Sequence, residues 1–204
     1  MVVKSLFLNR MLLILIFVGC ISLMLILLRA QVGSGRDNSP PILSPIFTPE
    51  VQHWQSQIVA WAAQYQLDPN LVATIMQIES CGDPMAVSSA GAQGLFQVMP
   101  FHFTEGENML NPDTNARRGL TYFVERLQQT GGDTGRAFAG YNGGQLAAAG
   151  SWADWAPETQ RYYQWSTGIY GEATAGRNQS PTLQSWLEAG GASLCRQAAG
   201  RLGL

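Results

Sequence analysis

Residues 11–28 (MLLILIFVGCISLMLILL) form an uncharged apolar run of 18, and this run decides how the chain can be partitioned. At 1.5 Å per helical residue it is about 27 Å long, close to the ~30 Å hydrocarbon core of a bilayer, so it predicts one transmembrane helix. A signal peptide would have a shorter apolar stretch ending in a small-x-small cleavage site, whereas this run ends in Leu28-Arg29-Ala30-Gln31. A lipoprotein reading of Phe17-Val18-Gly19-Cys20 needs a polar mature end, and the rest of the apolar run follows Cys20 instead. Lys4 and Arg10 before the run balance Arg29 and Arg36 after it, so flanking charge leaves the orientation open.

The remainder carries one core at most. Of 204 residues, only 13% are charged, against about 25% in an average domain. Lys4 is the only lysine, and beyond Ala30 nine arginines face fourteen acids, a formal charge of −5. Such a surface does not favour nucleic acid as a partner. Two histidines, His53 and His102, and no Cys-x-x-Cys pair leave no ordinary zinc ligand set, and no cofactor motif is present. Residues 1–10 then form a short N-terminus before the anchor, 29–47 a Gly/Ser/Pro linker, 48–172 the main domain and 173–204 a C-terminal helical extension.

Beyond the linker the periodic signals are helical. Thr48 and Pro49 open a pattern with Val51, Trp54, Ile58, Trp61 and Tyr65 on one face; Asp68 and Pro69 open a second, with Leu71, Val72, Ile75, Met76 and Ile78, stopped near Gly82. Residues 88–94 (SSAGAQG) read as loop. Asn111-Pro112-Asp113 starts a third helix with Ala116, Leu120, Phe123, Val124 and Leu127 inward and Gly131-Gly132 as its stop. Asp133 caps a short fourth before the Gly-rich turn Asn142-Gly143-Gly144. A fifth begins at about Pro157 with Tyr162, Trp165 and Ile169, and residues 181–189 and 192–199 carry two more short patterns. No strand alternation is sustained, so the class is mainly α.

One residue breaks the pattern of the second helix. At 100° per residue from Leu71, Ile75 falls at about 40°, Val72 at about 100° and Glu79 at about 80°, inside the apolar stripe, with Thr74 and Gln77 on the opposite face. Desolvation and the negative end of the helix dipole both favour a protonated carboxyl there. A carboxyl kept protonated near neutral pH can act as the general acid of glycosidic bond cleavage. The competing reading turns Glu79 to solvent or pairs it with an arginine.

At these residues the chain resembles a known family, the lytic transglycosylases of goose-type lysozyme fold. Ile78-Glu79-Ser80, then residues 86–100 (AVSSAGAQGLFQVMP), then 115–119 with Gly131-Gly132-Asp133, then residues 139–144 (AGYNGG), and finally Glu158-Thr159 with Arg161-Tyr162 are similar to the family's motifs, in its order, over about residues 48–170. Phe96, Gly140, Gly143 and Cys81-Gly82 depart from its usual residues. The resemblance implies a mainly α, lysozyme-like, goose-type helical domain with little or no sheet, behind the single N-terminal transmembrane helix.

It also implies a peptidoglycan lytic transglycosylase that cleaves the β-1,4 bond between N-acetylmuramic acid and N-acetylglucosamine without water, leaving 1,6-anhydro-N-acetylmuramic acid ends. Glu79 would be the catalytic acid and then base, while Ser88, Gln97, Met99, Tyr141 and Asn142 would bind substrate. Peptidoglycan glycan strands would be the partner, with the membrane held through residues 11–28, no metal or other cofactor, and the domain on the extracytoplasmic side of the cytoplasmic membrane. A lysozyme-like hydrolysis would need a second carboxylate; Asp83, Glu105, Glu107 and Asp113 have no family counterpart in that role. A non-catalytic peptidoglycan-binding part of an envelope-spanning apparatus is the other alternative. Ser80 reads as orienting the helix end, His102 as structural, and Trp152 and Trp155 as either packing or stacking on sugars. Cys81 and Cys195 are either a disulfide linking the extension to the end of the catalytic helix or two separate buried thiols.

Overall fold

A computed structural model describes residues 43–204; the predicted membrane helix at 11–28, the N-terminus at 1–10 and most of the linker lie outside the described residues. Among the described residues no helix is long and apolar enough to cross a membrane, and there is no sheet, only two isolated β-bridges, Val87 to Gln93 and Gln93 to Val98.

The helices are α1 (Pro49–Gln52), α2 (Gln55–Tyr65), α3 (Pro69–Glu79), α4 (Pro112–Gln129), α5 (Thr134–Ala149), α6 (Pro157–Thr174), α7 (Pro181–Trp186) and α8 (Ala192–Leu202), with a π-helical segment Leu187–Gly191 joining the last two. The N-caps of α3, α4 and α5 follow the sequence: Asp68 accepts from the Asn70 amide, Asn111 from Thr114 and Asp133 from Arg136. Thr48 does not cap. Its hydroxyl donates to Gln77 Oε1 instead, and the single helix predicted from Thr48 to Tyr65 breaks at His53-Trp54.

α3 is the axis of the molecule. Every residue from Leu71 to Ile78 is buried, including Thr74 and Gln77, so the polar face expected from the helical wheel does not meet water. Thr74 satisfies its hydroxyl on the Asn70 carbonyl, and Gln77 reaches Cys81 Sγ at 3.0 Å. A helix buried all round needs cover on every side: α2 and α6 supply most of it, α1 touches a third side, and α4 and α5 stack beyond. Residues 43–47, assigned to the linker, belong to this core, with Leu43 2%, Ile46 8% and Phe47 4% exposed. The predicted turn at Asn142-Gly143-Gly144 is instead a kink within α5, where Gly144 adopts φ 77° and the helix resumes beyond it.

The two cysteines are bonded. Cys81 and Cys195, 114 positions apart in sequence, form a disulfide with Cα atoms 5.0 Å apart, joining α8 to the chain just after α3. Glu50 lies close to both sulfurs, but a disulfide leaves neither as a thiolate metal ligand.

Candidate active site

Glu79 is the last residue of α3, where the chain leaves the helix through Ser80 and through Cys81 at φ 52°. Ser80 fixes that exit. Its hydroxyl donates to the Leu95 carbonyl at 2.8 Å and accepts from the Gly82 amide, so it orients the backbone rather than reacting. The loop that returns over the helix end is pinned from α4 by buried Asn115, whose amide donates to the carbonyls of Gln93 and Met109 and whose oxygen accepts from the Phe96 amide. Gly94 is required at this knot, since its φ is +69° and a Cβ there would lie 2.7 Å from Asn115 Nδ2.

The carboxyl of Glu79 opens into a cavity of about 430 Å³ walled by α3, α6 and the segment after α6, within the ordinary range of ligand pockets, ~300–1,000 Å³. Burial pushes its pKa up to about 8; the Tyr162 hydroxyl pulls it down somewhat, and the charge of Glu158 pushes it up further. Tyr162 is buried, its hydroxyl has no hydrogen-bond partner of normal geometry, and its own pKa is raised well above the phenol range by burial and then by Glu79. Glu79 therefore stands protonated at neutral pH beside an uncommitted phenol, which suits a group that first gives a proton and then takes one.

A second hollow of about 220 Å³ adjoins the first at Asn142, which lines both. Gln97, Met99 and Tyr141 line it too, so four of the five predicted binding residues gather there. Two are partly committed to structure: Gln97 donates its side-chain amide to the carbonyls of Ala86 and Gly94, and Tyr141 donates to the Phe96 carbonyl at 2.7 Å. Asn142 accepts from the Thr159 hydroxyl. Ser88 lines neither hollow; its hydroxyl accepts from the Ala92 amide within its own turn.

Three of the four acids considered as second carboxylates are engaged elsewhere. Buried Asp83 pairs with Arg201 at 3.2 Å, Glu107 with Arg117 and Arg118, and Asp113 accepts from the Trp61 indole. The other carboxyl lining the Glu79 cavity is Glu158, which stands in the sequence only as part of a motif, as does Arg161. Tyr162 carries no role in the sequence beyond the same motif and the apolar stripe of its helix; its position four residues after Glu158, one helical turn, is the signal that they share a face.

Residues 56–161 match the family described as Transglycosylase SLT domain. The chain belongs to that family. Within this SLT family, the chain is 37% identical over 111 residues to a "Transglycosylase" of Enterobacteria phage PRD1, covering 53% of this chain and 40% of that protein. It is 33% identical over 116 residues to the "Endo-type membrane-bound lytic murein transglycosylase A" of Klebsiella pneumoniae, covering 49% of this chain and 56% of that one. The chain thus spans about half the length of the curated relatives it matches. The structure of an inactive mutant of the lytic transglycosylase Slt from Pseudomonas aeruginosa aligns with a TM-score of 0.50 at 24% identity, over 63% of this chain and 25% of that one. That likeness establishes the lysozyme-like, lytic transglycosylase fold of this SLT domain.

Proposed function

We propose that this chain is a peptidoglycan lytic transglycosylase that cleaves the β-1,4 bond between N-acetylmuramic acid and N-acetylglucosamine without water. The observation that carries the reading is the protonated carboxyl of Glu79, held up to about pKa 8 by burial at the mouth of a cavity. Glu79 gives its proton to the leaving glycosidic oxygen as positive charge develops at the anomeric carbon. The resulting carboxylate, facing the Tyr162 phenol, removes the proton of the C6 hydroxyl, whose oxygen closes on the anomeric carbon as a 1,6-anhydro ring. The second hollow, through Gln97, Met99, Tyr141 and Asn142, receives the neighbouring sugars, and Ser88 acts on the substrate only through the turn it holds. The family match and the murein transglycosylases it resembles support this substrate.

The anchor at residues 11–28 and a domain on the extracytoplasmic side complete the proposal, since the wall lies outside the cytoplasmic membrane. The deciding experiment is digestion of purified peptidoglycan with mass analysis of the products. Ends in 1,6-anhydro-N-acetylmuramic acid, one water lighter than hydrolysed ends, are expected, with Glu79→Gln lowering the rate at least about 10²-fold. Reducing-end muramic acid as the main product, abolished by Glu158→Gln, would instead make Glu158 the partner carboxylate of a hydrolase.

A further inference from the structure

The family match stops at residue 161, but the wall of the Glu79 cavity continues past it. Trp186, Ala189, Gly191 and Leu194, all from the segment after α6, line the same cavity as the carboxyl. Two fasteners hold this segment against the residues just beyond Glu79. Cys195 is bonded to Cys81, and Arg201 pairs through Nε with buried Asp83 at 3.2 Å while its Nη1 donates to the Met85 carbonyl. The extension is therefore fixed to the exit of the catalytic helix at two points.

Its lip is bare, and the fold enforces this. Ala189, Gly190 and Gly191 carry one methyl among them. Gly190 has φ +128°, which L side chains rarely adopt, and a Cβ on Gly191 would lie 2.4 Å from the Trp186 ring, so the indole occupies the place of a side chain. The same cavity is lined by the apolar side chains of Ile78, Trp165 and Leu194 and by the polar Asn142 and Arg161. A bare backbone edge together with apolar and polar lining groups suits a flat ring with apolar faces and polar edges, as a pyranose bearing an acetamido group has.

We infer that residues 186–194 are a positioning wall of the glycan site: they seat the N-acetylhexosamine ring bound next to Glu79, and the bare lip sets how closely that ring approaches. This rests on the glycan substrate proposed above. Ala189 is exposed on the lip, so Ala189→Trp fills the wall without disturbing the core, while Gln197→Trp places the same bulk on an exposed position of α8 outside the cavity. Kinetics on peptidoglycan are measured for both, together with calorimetric binding of N-acetylglucosamine tetramer to each variant in a Glu79→Gln background.

Ala189→Trp is expected to raise KM and weaken tetramer binding about tenfold, with kcat changed less than about twofold, because ring seating common to ground and transition state is lost. Gln197→Trp should match its parent. Equal KM and binding for the two tryptophan variants would overturn the wall. Tetramer binding lost only in Ala189→Trp, by a parent that cuts no peptidoglycan, would overturn the lytic reading and keep the wall; a parent that neither cuts nor binds overturns both.

Discussion

At the scale of single residues, the chemistry depends on how few groups compete for the Glu79 proton. A carboxyl raised from about 4.5 to about 8 on folding binds more protons in the native state than in the unfolded one between those values. Native stability therefore falls as pH rises through that window. Glu79→Gln removes this cost, so at pH 8 it should be more stable than wild type by about 4 kcal/mol, and the gap should close below about pH 4.5. Chemical denaturation of both proteins across that range checks the sign. Activity should fall as pH rises through about 8, when the acid is lost. Tyr162→Phe removes the one neighbour that lowers the value, so the alkaline limb of the pH–rate profile should move upward; a downward shift would mean the phenol favours the protonated acid.

Among the helices, close approach and cross-linking matter more than propensity. Gly119 on α4 sits where a Cβ would be 2.7 Å from Phe96 Cβ and 3.0 Å from Tyr141 Oη. Gly119→Ala gains about 1 kcal/mol of helix propensity but overpacks at a cost of about 1–3 kcal/mol, so a net loss of melting temperature is expected. Phe96 cannot yield by a rotamer change, because its Cβ is the atom met. Replacing both Cys81 and Cys195 by Ser should cost about 2–5 kcal/mol by denaturant titration, and reduction of the wild type should match it.

The same scale shows what was legible beforehand. Caps at Asp68, Asn111 and Asp133 and the stop at Gly131-Gly132 act within one turn, so local sequence specified them. Glu79 was legible because a charge in an apolar stripe is a local contradiction. The buried state of Thr74 and Gln77, the packing of residues 43–47 and the cavity wall from 186–194 depend on partners far along the chain, which periodicity does not report. The kink at Gly144 resembles a turn in the sequence because glycines that let the two halves of a kinked helix approach look like glycines in a turn. Here Gly140 and Gly143 would clash with Ala148 and Ala147 if they bore a Cβ.

For the whole molecule, Leu43 already belongs to the core, which shortens any tether to the proposed anchor. Residues 29–42 are fourteen, and fully extended they reach at most about 50 Å, so an anchored domain would work on wall close to the membrane. The full chain should sediment with membranes and resist extraction by high salt. A reporter fused after Leu204 should be active only outside the cytoplasm; activity inside would reverse the proposed topology.

The bond between Cys81 and Cys195 also places the two halves of one wall 114 positions apart. A chain emerging from the ribosome N-terminus first displays α3, with Gln77 and a reduced Cys81, long before α8 exists to cover them. At about 5–20 residues per second that interval lasts on the order of 6–25 s. Throughout it the carboxyl has its helix but not its full enclosure, so the cavity beside Glu79 is completed among the last steps of maturation, once α8 has been made and Cys195 has met Cys81.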